Sequence, residues 1–310
     1  MKWRGRKQSS HMEDRRGAGG GIGGGMFRGP SGGGGPSFRI PTGGTRGGAI
    51  GGGGLGLIVI VVVVGLMLGV NPMDLLSGGV TPSSAPQTQS APGNNASEDE
   101  LYQFMAVVAQ DTEDLWTEVF KQNNMTYTPP TIVVYSGQTS AGCGVAQASM
   151  GPFYCPADQN VYLDLSFYDQ LRQQFGAPGD FAQAYVLAHE IGHHVQQLTG
   201  VLPEFNQRRQ RMSEEEANAY SVRVELQADC YAGIWANYAG QQNLLDSGDV
   251  EEALNAAEQI GDDTLQKRMQ GYAVPKTFNH GTSEQRQRWF GIGQRTGDVG
   301  QCDTFSASQL

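Results

Sequence analysis

Histidine and cysteine are scarce in this 310-residue chain, five and four respectively, and no two cysteines stand in a C-x-x-C pair. The second absence excludes a zinc knuckle built on paired thiolates. Acidic charge is scarce at the beginning of the chain. Residues 1–50 carry nine Lys/Arg against Glu13 and Asp14, a balance of +7, while the remainder carries 12 basic and 29 acidic residues, or −17. The overall −10 therefore conceals a basic, Gly-rich arm ahead of an acidic body. Aromatics are sparse in that arm, so "RGPSGGGGPSFR" and "GGTRGG" lack the stacking platforms of a single-strand-binding tract, and nucleic acid is not an expected partner.

Charge of either sign is absent from "AIGGGGLGLIVIVVVVGLMLGV", Ala49 to Val70. These 22 residues are long enough to cross a hydrocarbon core of about 30 Å as a helix. A buried strand would be short and bounded by turns, whereas this segment stays apolar through Leu66, Met67 and Leu68. The basic flank before it and the near absence of Lys/Arg just after it predict a cytoplasmic N-terminus by the positive-inside bias. The expected organisation is a disordered tail over 1–48, one transmembrane helix over 49–70 in a lipid bilayer, a flexible linker over 71–97 and an extracytoplasmic domain over 98–310. The polar, Pro/Ser-rich run from Val80 to Glu100 supports the linker.

An exported domain sits where disulfides persist. Cys143 and Cys155 flank a short loop, "GVAQASMGPFY", which leaves Cys230 with Cys302, one of three pairings that four cysteines allow. A free, buried Cys230 is the alternative.

Within the domain, helical periodicity runs from Leu101 to Phe120. "TIVVYSG" and "NVYLDLSFY" have the β-branched and aromatic content of strands. Asp180 with Gln183 forms the pattern of a capping box, opening a helix that Gly200 ends, and Ser213 with Glu216 opens another towards Gly240. Shorter helices are expected near Val250–Gln259 and Ser283–Phe290. The class is α+β, mostly helical with a small sheet.

On the first of the two capped helices, "AYVLAHEIGHHVQQLTG" places His189 and His193 four residues apart, so both imidazoles leave one face close enough to share a metal. Glu190 lies one step round, a poor ligand but well placed to take a proton from an activated water. From this composition H-E-x-x-H arises by chance in about one such chain in a few hundred, so a metal site outweighs coincidence. His194 points off the ligand face and reads as a packing residue. No third histidine follows closely, so a downstream carboxylate is the expected third ligand. "ELQAD" offers Glu225, with Asp229 one turn later to orient a histidine. "EQIGD", with Glu258 and Asp262, is the rival, interrupted by Gly261.

"YVLAHEIGHHVQ", "ELQADCYAG", "GPFYCPADQNVYLDLSFY" and "HGTSEQR" together resemble the neutral zinc metallopeptidase family of bacterial membrane-anchored proteins, over nearly the whole chain. More distantly, HExxH followed by E-x-x-A-D is similar to the gluzincin arrangement of thermolysin and of the CaaX-prenyl and heat-shock membrane metalloproteases. The resemblance implies a zincin-like fold, Zn2+ held by His189, His193 and Glu225, a peptide or protein substrate, and the inner membrane as location. In those membrane proteases a His followed six residues later by Arg lies near the site, the spacing of His280 and Arg286, although Gly281 stands where proline is common. The expected reaction is peptide-bond hydrolysis, with Glu190 as general base and His280 or Tyr231 as donor to the oxyanion. The competing class is a membrane-tethered binding or scaffold protein with structural zinc, which would normally close its site with four protein ligands.

Overall fold

The computed structural model describes residues 1–17 and 96–310. The apolar stretch 49–70 and most of the linker lie outside the described residues. Among the described residues, no helix is long and apolar enough to cross a membrane.

In chain order the elements are β1 (Met12–Asp14), α1 (Ala96–Gln122), β2 (Ile132–Tyr135), β3 (Gln138–Ala141), β4 (Gly144–Gln147), β5 (Phe153–Cys155) and β6 (Asn160–Asp164). After these come α2 (Ser166–Gln173), α3 (Asp180–Leu198), α4 (Val201–Arg208), α5 (Glu214–Gln241), α6 (Asp249–Gln259), α7 (Asp262–Gln270) and α8 (Ser283–Thr296). This is the expected α+β class, helices around a small sheet.

The main sheet has the order β1-β2-β6-β5, with β1, β2 and β6 parallel and β5 antiparallel at one edge. Strand β2 reads "IVVY" without alternation because both of its faces are covered. Ile132 and Val134 enter the main core with the helices, whereas Val133 and Tyr135 join Phe153, Tyr162 and Ala146 in a second cluster. Ala146 comes from the β3–β4 hairpin, which the Cys143–Cys155 disulfide ties to β5. Strand β6 stops earlier than "NVYLDLSFY" suggests. The Asp164 carboxylate accepts the backbone N–H of Ser166 at 2.9 Å and of Gly137 at 2.7 Å, turning the chain into α2, so Ser166, Phe167 and Tyr168 are helical.

Helix α3 is apolar on almost every side, from Phe181 to Val195, and such a helix belongs in the interior. It packs against α1, α5, α6 and the β5 edge. Its start departs from the expected capping box. Gly179 is the N-cap and supplies no side-chain cap; Glu252 of α6 accepts the Phe181 N–H at 3.1 Å. Asp180 instead holds the ammonium of Met1. The Ser213–Glu216 box is present as expected at the start of α5. Helices α5 and α8 cross backbone to backbone, since a Cβ on Gly233 would collide with the carbonyl of Phe290 and one on Gly293 with that of Cys230. Beside that crossing, Cys230 is disulfide-bonded to Cys302.

Residues 1–17 correct the expectation of a disordered tail for that part of the arm. They lie against the domain: β1 pairs with β2 in the register Met12↔Ile132, and Met1 and Trp3 are buried. Three residues of strand carry too little periodicity to be read from sequence, and the pairing spans more than 100 residues of chain.

Candidate metal centre

The centre forms where α3 meets α5. Gly192, inside the H-E-x-x-H segment, is the contact point: a Cβ there would lie 3.1 Å from the Ala228 carbonyl oxygen and 3.2 Å from its Cα. Without that side chain the two backbones come close enough for Glu225 on α5 to reach both histidines on α3.

His189 places Nδ1 2.7 Å from Asp229 Oδ1 and Nε2 3.2 Å from Glu225 Oε2. His193 places Nδ1 2.8 Å from Gln196 Oε1 and Nε2 3.4 Å from Glu225 Oε1. Gln196 donates its own Nε2–H to the Val224 carbonyl at 2.7 Å and to Gln227 Oε1 at 3.0 Å, which leaves its oxygen as acceptor for His193 Nδ1–H. Both imidazoles thus have Nδ1–H engaged and the Nε2 lone pair directed at a carboxylate.

Two lone pairs and a carboxylate repel one another unless a cation lies among them. Burial works against protonating His189, but the charge and hydrogen bond of Asp229, followed by Glu225, raise its pKa to about 10. His193 is also raised, against burial, by Glu225, and Glu225, which burial alone would raise, is pulled far below the carboxylate range by His193 and His189. The trio demands positive charge. One ligand atom from each of His189, His193 and Glu225 can be chosen so that all lie within 4.8 Å of one another. Ligands about 2.0–2.1 Å from a tetrahedral ion are separated by about 3.3 Å, close to the observed 3.2 and 3.4 Å. The donor set fits zinc, with no fourth protein ligand joining the group among the described residues.

Asp229 is wholly inaccessible to solvent and fully bonded. Tyr185 donates to Oδ1 at 2.6 Å, and Arg286 on α8 donates through Nε to Oδ2 at 2.8 Å and through Nη2 to Oδ1 at 2.9 Å. Burial would raise this carboxyl, but Arg286 and then His189 hold it down to about 2. His189 is therefore oriented by an acceptor that remains ionised.

Glu190 stands beside the trio, outside its ligand atoms. Burial raises its pKa, offset in part by His193 and His189 and, least, by the backbone of Tyr154 on β5. His280 is held by Asp262, whose Oδ1 lies 3.1 Å from the ring Nδ1. Asp262 Oδ2 accepts the backbone N–H groups of Asn279, His280 and Gly281 at 2.8, 2.7 and 3.0 Å. Burial disfavours the imidazolium of His280, but Asp262, and then Glu225, raise its pKa. Gly281 has φ +98° and donates its N–H, neither of which proline can do, which accounts for glycine at this position.

The structure thus gathers His189, Glu190, His193, Glu225, Asp229, His280 and Arg286. Glu258 is exposed and stays outside, and its partner Asp262 serves His280 instead. Tyr231 also stays outside: two residues beyond Asp229 it faces another side of α5 and packs edge-on against Trp116 at 5.3 Å. His194 is a packing residue, donating Nε2–H to the Thr128 carbonyl at 2.7 Å and accepting from Tyr154 Oη at 3.1 Å. Tyr185 and Gln196 were not expected. Their spacing was the available signal, since Tyr185 precedes His189 by one turn and Gln196 follows His193 by three residues on the same helix.

The family described as "putative neutral zinc metallopeptidase" matches residues 1–305. Uncharacterized protein YpfJ of Escherichia coli (strain K12) is 48% identical over 308 residues, covering 99% of this chain and 100% of that protein. Uncharacterized protein Rv2575 of Mycobacterium tuberculosis (strain ATCC 25618 / H37Rv) is 42% identical over 262 residues, 79% of this chain and 86% of that protein. No solved structure matches the chain.

Proposed function

The chain belongs to the neutral zinc metallopeptidase family, and from that membership we propose that it is a zinc-dependent peptidase with Glu190 as general base. His189, His193 and Glu225 would hold the metal. Zinc, when bound there, polarises a water molecule and lowers its pKa towards about 7. Glu190, its basicity raised by burial, takes the proton of the attacking water at a carboxylate oxygen and returns it to the leaving amine. His280, whose pKa Asp262 raises against the effect of burial, donates to the oxyanion that develops on the scissile carbonyl. Asp229 and Gln196 fix the tautomers of the two histidines, and Arg286 keeps Asp229 ionised.

The observation that carries this reading is the division of labour among the carboxylates. Glu225 faces both Nε2 atoms, while Glu190 is adjacent but free of them. A structural zinc site would need no such second carboxylate and would normally have a fourth protein ligand. Export of the domain, with anchoring through Ala49 to Val70, is part of the proposal. The two disulfides support an oxidising compartment.

The test pairs zinc stoichiometry with cleavage of a peptide library by the full chain. Glu190→Gln keeps shape and removes the proton acceptor, so zinc content stays near wild type while turnover falls at least roughly a hundredfold. His189→Ala loses both. Full turnover by Glu190→Gln would reject the mechanism, and a wild type that holds zinc but cleaves no peptide would favour a scaffold.

A further inference from the structure

The hydrogen bonds that orient His193 do not end at Gln196. An amide nitrogen has two hydrogens to give, and Gln196 commits both, to the Val224 carbonyl at 2.7 Å and to Gln227 Oε1 at 3.0 Å. Gln227 in turn donates Nε2–H to the backbone carbonyl of Cys302 at 3.1 Å. Both glutamines are buried. An unsatisfied polar group there would cost the full price of desolvation, so each amide must face its neighbours the right way round. The run therefore has one direction, from the Cys302 carbonyl through Gln227 and Gln196 to the Nδ1–H of His193 at 2.8 Å.

A carbonyl oxygen can only accept, and that sets the direction. Turned end for end, Gln227 would oppose its oxygen to the Cys302 carbonyl and its nitrogen to the Gln196 nitrogen. If Gln196 turned as well, its nitrogen would face His193 Nδ1, and the ring proton would move to Nε2, the atom directed at Glu225. The Cys302 carbonyl is itself held on α5. Cys302 is disulfide-bonded to Cys230, the residue after Asp229. Thr304 Oγ1 donates to the Arg223 carbonyl at 2.6 Å, and Arg223 Nη1 donates to the carbonyls of Thr304, Phe305 and Ala307. From Arg223 to Cys230, one stretch of α5 thus carries the carboxylate of the metal trio, the acceptor of His189, the second amide of the run and both ties of segment 302–307.

We propose that Gln227 is a positioning residue of the metal centre, and that segment 302–307, tied to α5 by the Cys230–Cys302 disulfide, sets the direction of its amide. Metal affinity then depends on a backbone carbonyl three hydrogen bonds removed from His193. The inference rests on the trio as a metal site and not on peptide cleavage. Gln227 acts through Gln196, and its amide matters for the oxygen it presents there. Without the disulfide the Cys302 carbonyl is held less firmly and Gln227 is freer to turn. The two histidines consequently answer to different parts of the chain, His189 to the charge of Arg286 on α8 through Asp229, and His193 to a neutral run that begins beyond α8.

Zinc affinity of the full chain is measured by competition with a chromophoric chelator, beside denaturant unfolding. The variants are Gln227→Met, Gln227→Glu, and Cys230→Ser with Cys302→Ser, the last alone and combined with Gln227→Glu. Methionine keeps the length of the side chain and gives Gln196 no oxygen. Glutamate presents an oxygen to Gln196 whichever way it lies, so it needs no orienting carbonyl, although it repels that of Cys302. Gln227→Met should weaken zinc binding about two- to tenfold, the worth of one hydrogen bond. Gln227→Glu should lose stability yet keep zinc affinity within about twofold of wild type. The two serine substitutions should weaken zinc as Gln227→Met does, and adding Gln227→Glu should restore it. A merely structural Gln227 would instead make affinity follow stability throughout. Wild-type affinity in Gln227→Met, or equal losses in Gln227→Met and Gln227→Glu, would overturn the proposal, and these two variants decide it if the serine forms fold poorly. A wild type that takes up no zinc would overturn it together with the metal centre, whereas one that binds zinc but cleaves no peptide, with the expected ranking of variants, would support it and reject only the enzyme.

Discussion

The two ends of α3 each gather carboxylates around a cation position, and they differ in every respect that decides which cation. At the middle and C-terminal half, two imidazole nitrogens accompany one carboxylate, each imidazole fixed by a buried acceptor. At the N-terminus the donors are all carboxylate oxygens and two of them are exposed to water, Asp180 by 38% and Asp246 by 51% of their side chains. Nitrogen and carboxylate donors at tetrahedral spacing suit zinc. A shallow ring of aspartates suits an ammonium with several N–H bonds to give. The donor type and the rigidity behind the donors separate the two groups, since the count of carboxylates is larger at the end that has no imidazole.

That contrast can be broken most severely at Asp229. Asp229→Ala removes the acceptor of His189 and strands Arg286 in the interior, so zinc affinity should fall about 10–100-fold and stability by about 3–5 kcal/mol. Metal titration and denaturant unfolding read the two effects, and an unchanged affinity would show that Asp229 does not set the orientation of His189. Gln196→Ala probes the other histidine. Its acceptor is a neutral amide, so the loss of affinity should be smaller than for Asp229→Ala. Equal losses would mean that acceptor charge is irrelevant.

Chelation separates the two ends directly. Stripping zinc should abolish cleavage while leaving residues 1–17 as resistant to trypsin as in the zinc-loaded chain, because none of His189, His193 and Glu225 touches them. Arm release on chelation would show that the ends are coupled along the helix.

Legibility in the sequence followed the range of the interaction. His189, Glu190 and His193 lie within one turn of one helix, and Glu225 with Asp229 within one turn of another, so local periodicity was enough to propose them. Their partners depended on how helices cross. Arg286 was placed near the site only by a family spacing, and Tyr231 was assigned to the site although the helix turns it towards Trp116. Asp180 shows the failure most clearly. Its spacing to Gln183 satisfied a local capping rule, but a cation 179 residues away in sequence claimed the carboxylate, and Glu252 took over the cap. The β1 strand was unreadable for the same reason: three residues whose pairing is settled entirely by β2.

The docked arm also constrains sidedness. Strand pairs do not form through a lipid bilayer, so Met12–Asp14, seated on Ile132–Val134, must occupy the same aqueous phase as the metal centre. A path from residue 17 to residue 96 that crossed a bilayer once would end in the wrong phase for this register. Anchoring by a single crossing through Ala49 to Val70 therefore requires residues 12–14 to leave β2 when the domain is exported, so the seated strand and the anchored, exported domain are two different states of the chain. An impermeant amine reagent applied to intact cells, compared with one applied after lysis, would therefore report through Lys2 and Lys7 the compartment of the seated arm and of the metal centre in a single measurement.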